Sequence, residues 1–94
     1  MNKYELMFII DPSLTDEQKA ATVETVKGII GVDNVLDVDE WGMRKLAYPI
    51  QKKSEGYYVV MHFNAEPTLP KELDRRLRIS DNCIRHIIIN LDLE

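Results

Sequence analysis

The residues best suited to chemistry in this sequence are basic, and they fall into two groups. The first group flanks residues 46–50 and contains Arg44, Lys45, Lys52 and Lys53. The second group comes later in the chain and contains Arg75, Arg76, Arg78 and Arg85. Arginine matches phosphate oxygens with two parallel hydrogen bonds, so phosphate binding is the chemistry these residues indicate. Arginines near a helix C-terminus also stabilise the helix dipole, whereas Arg85 stands among isoleucines and needs an exposed or partnered surface.

Residues that serve as nucleophiles or general bases are few and scattered. Cys83 is the only cysteine, so it forms no internal disulfide, and we expect it to be a small buried residue. His62 and His86 have no neighbouring arrangement in the sequence that resembles a catalytic set, and we expect both to be sheet residues. No phosphate-binding loop or nucleophile motif is present. We therefore expect no enzyme activity, no cofactor and no small-molecule substrate.

Three acidic residues near the middle of the chain could imitate a metal site. Asp37, Asp39 and Glu40 lie in a segment that reads as a strand. Acidic side chains along an edge strand more often keep it soluble and prevent it from pairing with another strand. We therefore expect no bound metal.

The charge of the chain is unevenly distributed. Residues 1–41 contain nine acidic and three basic residues, a net charge of −6. Residues 42–94 contain seven acidic and nine basic residues, a net charge of +2, so the whole chain carries −4. A protein that binds nucleic acid unaided is usually basic overall. Nucleic-acid binding here would therefore need a local patch or a basic partner.

The composition is that of one soluble globular domain, residues 1–94. Apolar residues make up 45% of the chain and charged residues 30%. The longest apolar runs, LMFII and III, are too short to span a membrane. The N-terminal residues MNKYEL lack the apolar stretch of a signal peptide. We therefore expect a cytoplasmic protein that has no membrane partner.

Hydrophobic periodicity predicts the order strand–helix–strand–strand–helix–strand. We predict strands at residues 3–11, 34–48 (interrupted at Gly42), 57–65 and 83–93, with a turn at 52–56. Thr15 and Gln18 predict a capping box for the first helix, and Thr68 is the expected cap of the second. The predicted buried faces of the helices are Ala20, Val23, Val26 and Ile30 in the first and Leu69, Leu73 and Leu77 in the second.

Right-handed connections between these elements predict an α+β fold, the ferredoxin-like split βαβ arrangement. In that fold a four-stranded antiparallel sheet carries both helices on one face. The other face is also apolar, with Met7, Ile9, Tyr58, Val60, and Ile87 and Ile89 (or Ile88). An apolar open face usually has a partner, either stacked bases or another protein. A module that forms homodimers through this face and binds a metabolite remains an alternative.

The segment WGMRKLAYPIQKKSEGYY resembles the central segment of the bacterial ribosomal protein S6 family. The segments KYELMFIIDPSL and LRISDNCIRHIII resemble the same family, in the same order. The resemblance implies the ferredoxin-like fold and a structural role in the small ribosomal subunit. It also implies that the chain binds small-subunit ribosomal RNA, in the central domain on the platform. This binding would occur as a heterodimer with the basic ribosomal protein S18.

The resemblance also implies a set of site residues. The RNA contacts it implies are Lys3, Lys52, Lys53, Arg78 and Arg85. The contacts to the partner protein it implies are Trp41, Arg44, Lys45, Tyr48 and Tyr58. In this interpretation Leu46 anchors a bent edge strand to the core.

Overall fold

The computed structural model describes residues 1–50 and 53–92. Its strands are β1 (Asn2–Ile10), β2 (Val35–Ile50), β3 (Lys53–Ala65) and β4 (Cys83–Asn90). Its helices are α1 (Asp16–Ile30) and α2 (Leu69–Ile79), and a 3₁₀ turn at Val32–Asn34 links α1 to β2. Among these elements neither helix has the length and apolar character needed to cross a membrane.

The four strands form one antiparallel sheet in the order β2-β3-β1-β4. Alternate residues of the strands pack with both helices in a single core. The fully buried members of that core with the largest side chains are Phe8, Phe63, Leu6, Ile10, Met61, Leu73, Val26 and Val59. The predicted ferredoxin-like fold, with two helices on one face of the sheet, is confirmed.

Helix α1 begins with the predicted capping box. The Gln18 amide donates to Thr15 Oγ1 (3.2 Å) and the Thr15 amide donates to Gln18 Oε1 (2.9 Å). The predicted buried face was wrong at Ala20, which is exposed. Lys19 takes the inward position in this turn, and its ammonium lies 5.1 Å from the centre of the Tyr57 ring. A long side chain can bury its aliphatic stem there while its charge rests on the ring.

The predicted capping of α2 by the Thr68 side chain was also wrong. Thr68 occupies the N-cap position, but its φ of −84° and ψ of −20° are helical and its side chain makes no capping hydrogen bond. A capping oxygen reaches the first free amides from an extended backbone conformation, which Thr68 does not adopt. Leu73 and Leu77 are buried as predicted, and Leu69 packs against the edge of the core.

The β2–β3 hairpin is longer than predicted. Residues 53–56, expected in a turn, belong to β3, with Gly56 opposite Arg44 and Glu55 opposite Lys45. Gly42 interrupts β2 as expected, at a register shift and with a φ of +81°. Among the residues that the structure describes, residues 46–49, which we call the arm, have no register partner. Pro49 within the arm has no amide hydrogen to donate, which favours this departure from the ladder.

Candidate protein and RNA interface

The sheet face without helices, here called the open face, is organised in rows that run across the strands. One row contains Asp37, His62, Glu5 and Ile89. The next contains Asp39, Val60, Met7 and Ile87, and the third contains Gly42, Tyr58, Ile9 and Arg85. The open face is therefore acidic at one end, apolar in its centre and cationic at the far corner on β4.

The apolar centre remains accessible on the strand at the edge of the sheet. Ile87 is 40% exposed and Ile89 is 46% exposed, whereas Val60 on an inner strand is buried. An aromatic pair extends the apolar centre towards β2. Trp41 stacks on Tyr58, with ring centroids 6.2 Å apart and ring planes 5° apart. Trp41 Nε1 donates to Asp39 Oδ2 (3.0 Å), which holds the indole in place.

The acidic end is held together by His62. His62 Nδ1 lies 2.7 Å from Asp37 Oδ1 and His62 Nε2 lies 3.0 Å from Glu5 Oε1, so one ring connects three strands. Only a protonated imidazole can donate from both nitrogens. The hydrogen bond to Asp37 is the main cause that raises the pKa of His62, with Glu5 adding to it against the opposing effect of burial.

We expect His62→Gln to destabilise the fold below pH 6 by up to about 1 kcal/mol, the range of partly exposed ion pairs. Because folding raises the pKa of His62, the protonated ring stabilises the fold fully below its unfolded pKa of about 6.5. This stabilisation is lost as the pH rises through the folded pKa. Urea unfolding of both proteins at a series of pH values should show their difference shrinking towards alkaline pH. A difference that does not change with pH would show that the imidazole is not charged in this cluster.

The cationic corner contains a contact across the sheet. Arg85 Nη1 donates a hydrogen bond to the Tyr48 hydroxyl, and the guanidinium carbon lies 5.8 Å from the centre of the Tyr48 ring. Tyr48 belongs to the arm, so the arm reaches across the open face towards β4. Beneath it is an apolar groove of about 120 Å³ whose walls include Met7, Ile9 and Ile87. Leu46 also lines this groove, so it packs on the open face and not in the core.

The arginines of α2 are paired with carboxylates of the same helix. Arg75 and Arg76 both bind Glu72, which lowers the pKa of Glu72 to about 2. Arg78 pairs with Asp74. The Asp74 carboxylate also lies 2.6 Å from His86 Nε2, and the hydrogen bond with His86 is the largest cause that lowers the pKa of Asp74. Arg78 is therefore partly neutralised before any ligand binds.

The structure brings two of the predicted RNA-contact residues together and separates the others. Arg78 and Arg85 line one polar depression of about 370 Å³ between the end of α2 and the start of β4. Lys3 and Ile9 are six residues apart on β1, a distance of roughly 20 Å. Because Ile9 is the register partner of Arg85, Lys3 is far from Arg85. Lys53 Nζ is 3.7 Å from Asp11 Oδ2, on the hairpin side. Lys52 lies outside the described residues.

The residues predicted to contact a protein partner lie on β2 and β3. Trp41, Tyr48 and Tyr58 face the open side of the sheet, as their contacts show. Arg44 and Lys45 are consecutive strand residues opposite Gly56 and Glu55, so their side chains point to opposite faces. One flat partner on the open face would reach Arg44 and miss Lys45.

Comparison with known proteins identifies the chain at the level of its family. The model of the family described as ribosomal protein S6 matches residues 3–90. The chain belongs to the ribosomal protein S6 family. This confirms the resemblance found in the sequence.

Individual members of the S6 family match over nearly their whole length. The small ribosomal subunit protein bS6 of Clostridium kluyveri is 56% identical over 91 residues, which are 95% of this chain and 96% of that protein. The bS6 protein of Caldanaerobacter subterraneus subsp. tengcongensis is 47% identical over 94 residues, covering 98% and 99% of the two chains. The crystal structure of 30S ribosomal protein S6 from Thermotoga maritima superposes with a TM-score of 0.88 at 37% identity, covering 95% of this chain and 86% of that one.

S6 family membership makes the chain a structural protein of the small ribosomal subunit, located with the ribosome in the cytoplasm, and not an enzyme. Burial raises the pKa of the Cys83 thiol to about 11, which leaves it protonated and unreactive at neutral pH. Within residues 1–50 and 53–92, no three side chains of the His, Cys, Asp and Glu types are arranged to hold a metal ion.

Two features of this candidate interface were missed in the sequence. His62 was expected to be a sheet residue without chemistry, but it lies between two carboxylates from the neighbouring strands. The pairing of the α2 arginines was also missed, although Glu72–Arg76 and Asp74–Arg78 have the i, i+4 spacing that brings side chains together on a helix.

Proposed function

We propose that the chain binds small-subunit ribosomal RNA, in the central domain on the platform, as a heterodimer with the basic ribosomal protein S18. The observation that carries this proposal is the open face. It is apolar in the centre, it is not covered by either helix, and it has ionic groups of opposite sign at its two ends. A surface of this kind is typical of a protein that completes its fold in an assembly.

The protein partner is proposed to cover the apolar centre and the acidic end. Ile87, Ile89 and Trp41 are large apolar side chains that water reaches on the described surface. Burying them would be the main source of affinity, since aromatic and aliphatic anchors dominate most interfaces. Glu5, Asp37 and Asp39 border this centre, so a basic partner would complement both the local charge and the net charge of −4.

RNA is proposed to bind at the corner where α2 ends and β4 begins. Arg85 is exposed there and lies beside the polar depression that it shares with Arg78. Because Asp74 already pairs with Arg78, we assign the main phosphate contact to Arg85. Contacts of this kind read the shape and the phosphates of structured RNA, not its base sequence.

On the open face, the groove under the arm offers little room for the alternative function, a homodimer that binds a metabolite. The apolar groove under the arm has a volume of about 120 Å³. Binding sites for small molecules are usually about 300–1,000 Å³ and enclose most of the ligand. The groove is large enough for one amino-acid side chain only.

Arg85→Ala tests the RNA part of the proposal. We expect it to weaken binding of the S18 heterodimer to a central-domain RNA fragment about ten-fold, the loss of one charge-assisted hydrogen bond. The slope of log affinity against log salt should fall by about one. Arg75→Ala is the matched control, because Arg75 is exposed but paired with Glu72. Equal effects of the two variants, or loss of folding in Arg85→Ala, would contradict the assignment.

A further inference from the structure

Tyr48 and Arg85 were assigned to different partners, but they contact each other in the free chain. Arg85 donates a hydrogen bond to the Tyr48 hydroxyl, and its guanidinium carbon lies 5.8 Å from the centre of the Tyr48 ring. Tyr48 is expected to contact the protein partner and Arg85 to contact RNA. In the free chain Arg85 therefore occupies the Tyr48 hydroxyl, which the protein partner would contact. Tyr48 in turn occupies one hydrogen-bond donor of Arg85, which RNA would contact.

This contact is not a consequence of sheet pairing. Strands β2 and β4 are at opposite edges of the sheet, with β3 and β1 between them. At the usual strand spacing the two edge strands are roughly 14 Å apart. The contact forms because the arm lies outside the described β2–β3 pairing and crosses the open face. Leu46 lies near Gly56 on that face, in a position where a Cβ added at Gly56 would lie 3.5 Å from Leu46 Cδ2.

The contact is weak enough to open. Tyr48 is 56% exposed and Arg85 is also exposed, so solvent reaches both sides of the pair. A cation–π contact at an exposed site favours the closed state by roughly two- to five-fold. A ligand that prefers one state can therefore shift this equilibrium with a modest part of its binding energy.

We propose that Tyr48 and Arg85 form a latch that couples the protein partner to RNA binding; this inference rests on the function proposed above. In the closed state the Tyr48 hydroxyl occupies Nη1, so Arg85 cannot bind a phosphate with its full set of donors. A partner protein that engages Tyr48 draws the arm away and frees Arg85 for RNA. By thermodynamic linkage, RNA bound to Arg85 favours partner binding by the same factor.

The latch is tested in the free chain, without partner or RNA. The accessibility of each arginine is measured as its rate of modification by phenylglyoxal, followed by peptide mass spectrometry. In Tyr48→Ala we expect Arg85 to react roughly three- to six-fold faster than in the wild type, because a closed-state bias of two- to five-fold leaves only a third to a sixth of wild-type chains open. Arg44 is the internal control, because its guanidinium contacts only its neighbour's carbonyl, at Met43, among the contacts described. An unchanged Arg85 rate, with unchanged Arg44, would overturn the latch.

A second measurement separates failure of the latch from failure of the proposed function. RNA affinity of wild type and Tyr48→Ala is measured at low salt, without S18 and with S18 at saturating concentration. The latch predicts that Tyr48→Ala binds RNA more tightly than the wild type without S18 and equally well with it. Wild-type binding that is tighter in both conditions would overturn the coupling. A faster Arg85 rate in a chain that binds neither S18 nor RNA would contradict the proposed function and the coupling while leaving the Tyr48–Arg85 contact in place.

Discussion

Gly56→Ala is expected to destabilise the fold by about 1–3 kcal/mol, the usual cost of overpacking a well-packed site. A Cβ atom built on Gly56 would lie 2.2 Å from Ile9 Cγ2 on the neighbouring inner strand. Ile9 Cγ2 is attached directly to the branched Cβ of Ile9, so it moves only if the whole side chain changes rotamer. Ile9 is also buried, which leaves little room for that change. Chemical denaturation measures the loss.

Gly28→Ala is the matched control for this substitution. Gly28 is in α1 and a Cβ there would meet no atom within 4 Å. Alanine should therefore stabilise the protein by about 0.5–1 kcal/mol through its higher helix propensity. If Gly56→Ala were as stable as the wild type, Ile9 would have to be free to move, and the packing described for the open face would be wrong.

Ile87→Lys is expected to weaken binding of S18 by about 2 kcal/mol or more, which is roughly thirty-fold, the range of interface hot spots. Ile87 lies beside Met7 in the apolar centre of the open face and is 40% exposed. Lysine there would place a charge in a surface from which the partner must exclude water, and it would repel a basic partner. Because the side chain is already partly in water, the stability of the free chain should change little.

Ile79→Lys is the control that carries the same chemical change elsewhere. Ile79 ends α2 and is 69% exposed, away from the open face. Its replacement should leave S18 binding unchanged, as measured by calorimetry or by sedimentation of the 1:1 mixture. If Ile79→Lys weakened binding as much as Ile87→Lys, the partner would not be recognising the open face.

The fold followed from local patterns in the sequence. Alternation of Tyr4, Leu6 and Phe8 in β1 predicted which residues face the helices, because neighbouring strand residues must point to opposite faces. Thr15 and Gln18 predicted the start of α1 from a hydrogen-bond pattern that spans only four residues. Both signals depend only on residues close together in the chain, so they do not depend on how the strands pair.

The chemistry of the open face could not be predicted in the same way. Alternation places His62 on this face, but its contact with Asp37 and Glu5 depends on the register of three strands. Strand β2 shifts register between Val35 and Asp37, and a shift of one residue changes the face of every side chain beyond it. The contact between Tyr48 and Arg85 requires a bend of the arm that no local pattern encodes.

The proposal of a co-assembling RNA-binding protein is tested most directly by one titration. The chain is titrated onto a central-domain ribosomal RNA fragment across a salt series, with and without S18. We predict tight binding only when S18 is present, with an affinity that falls steeply as salt rises, because phosphate contacts release counterions. Equally tight binding without S18, or no binding in either case, would contradict it.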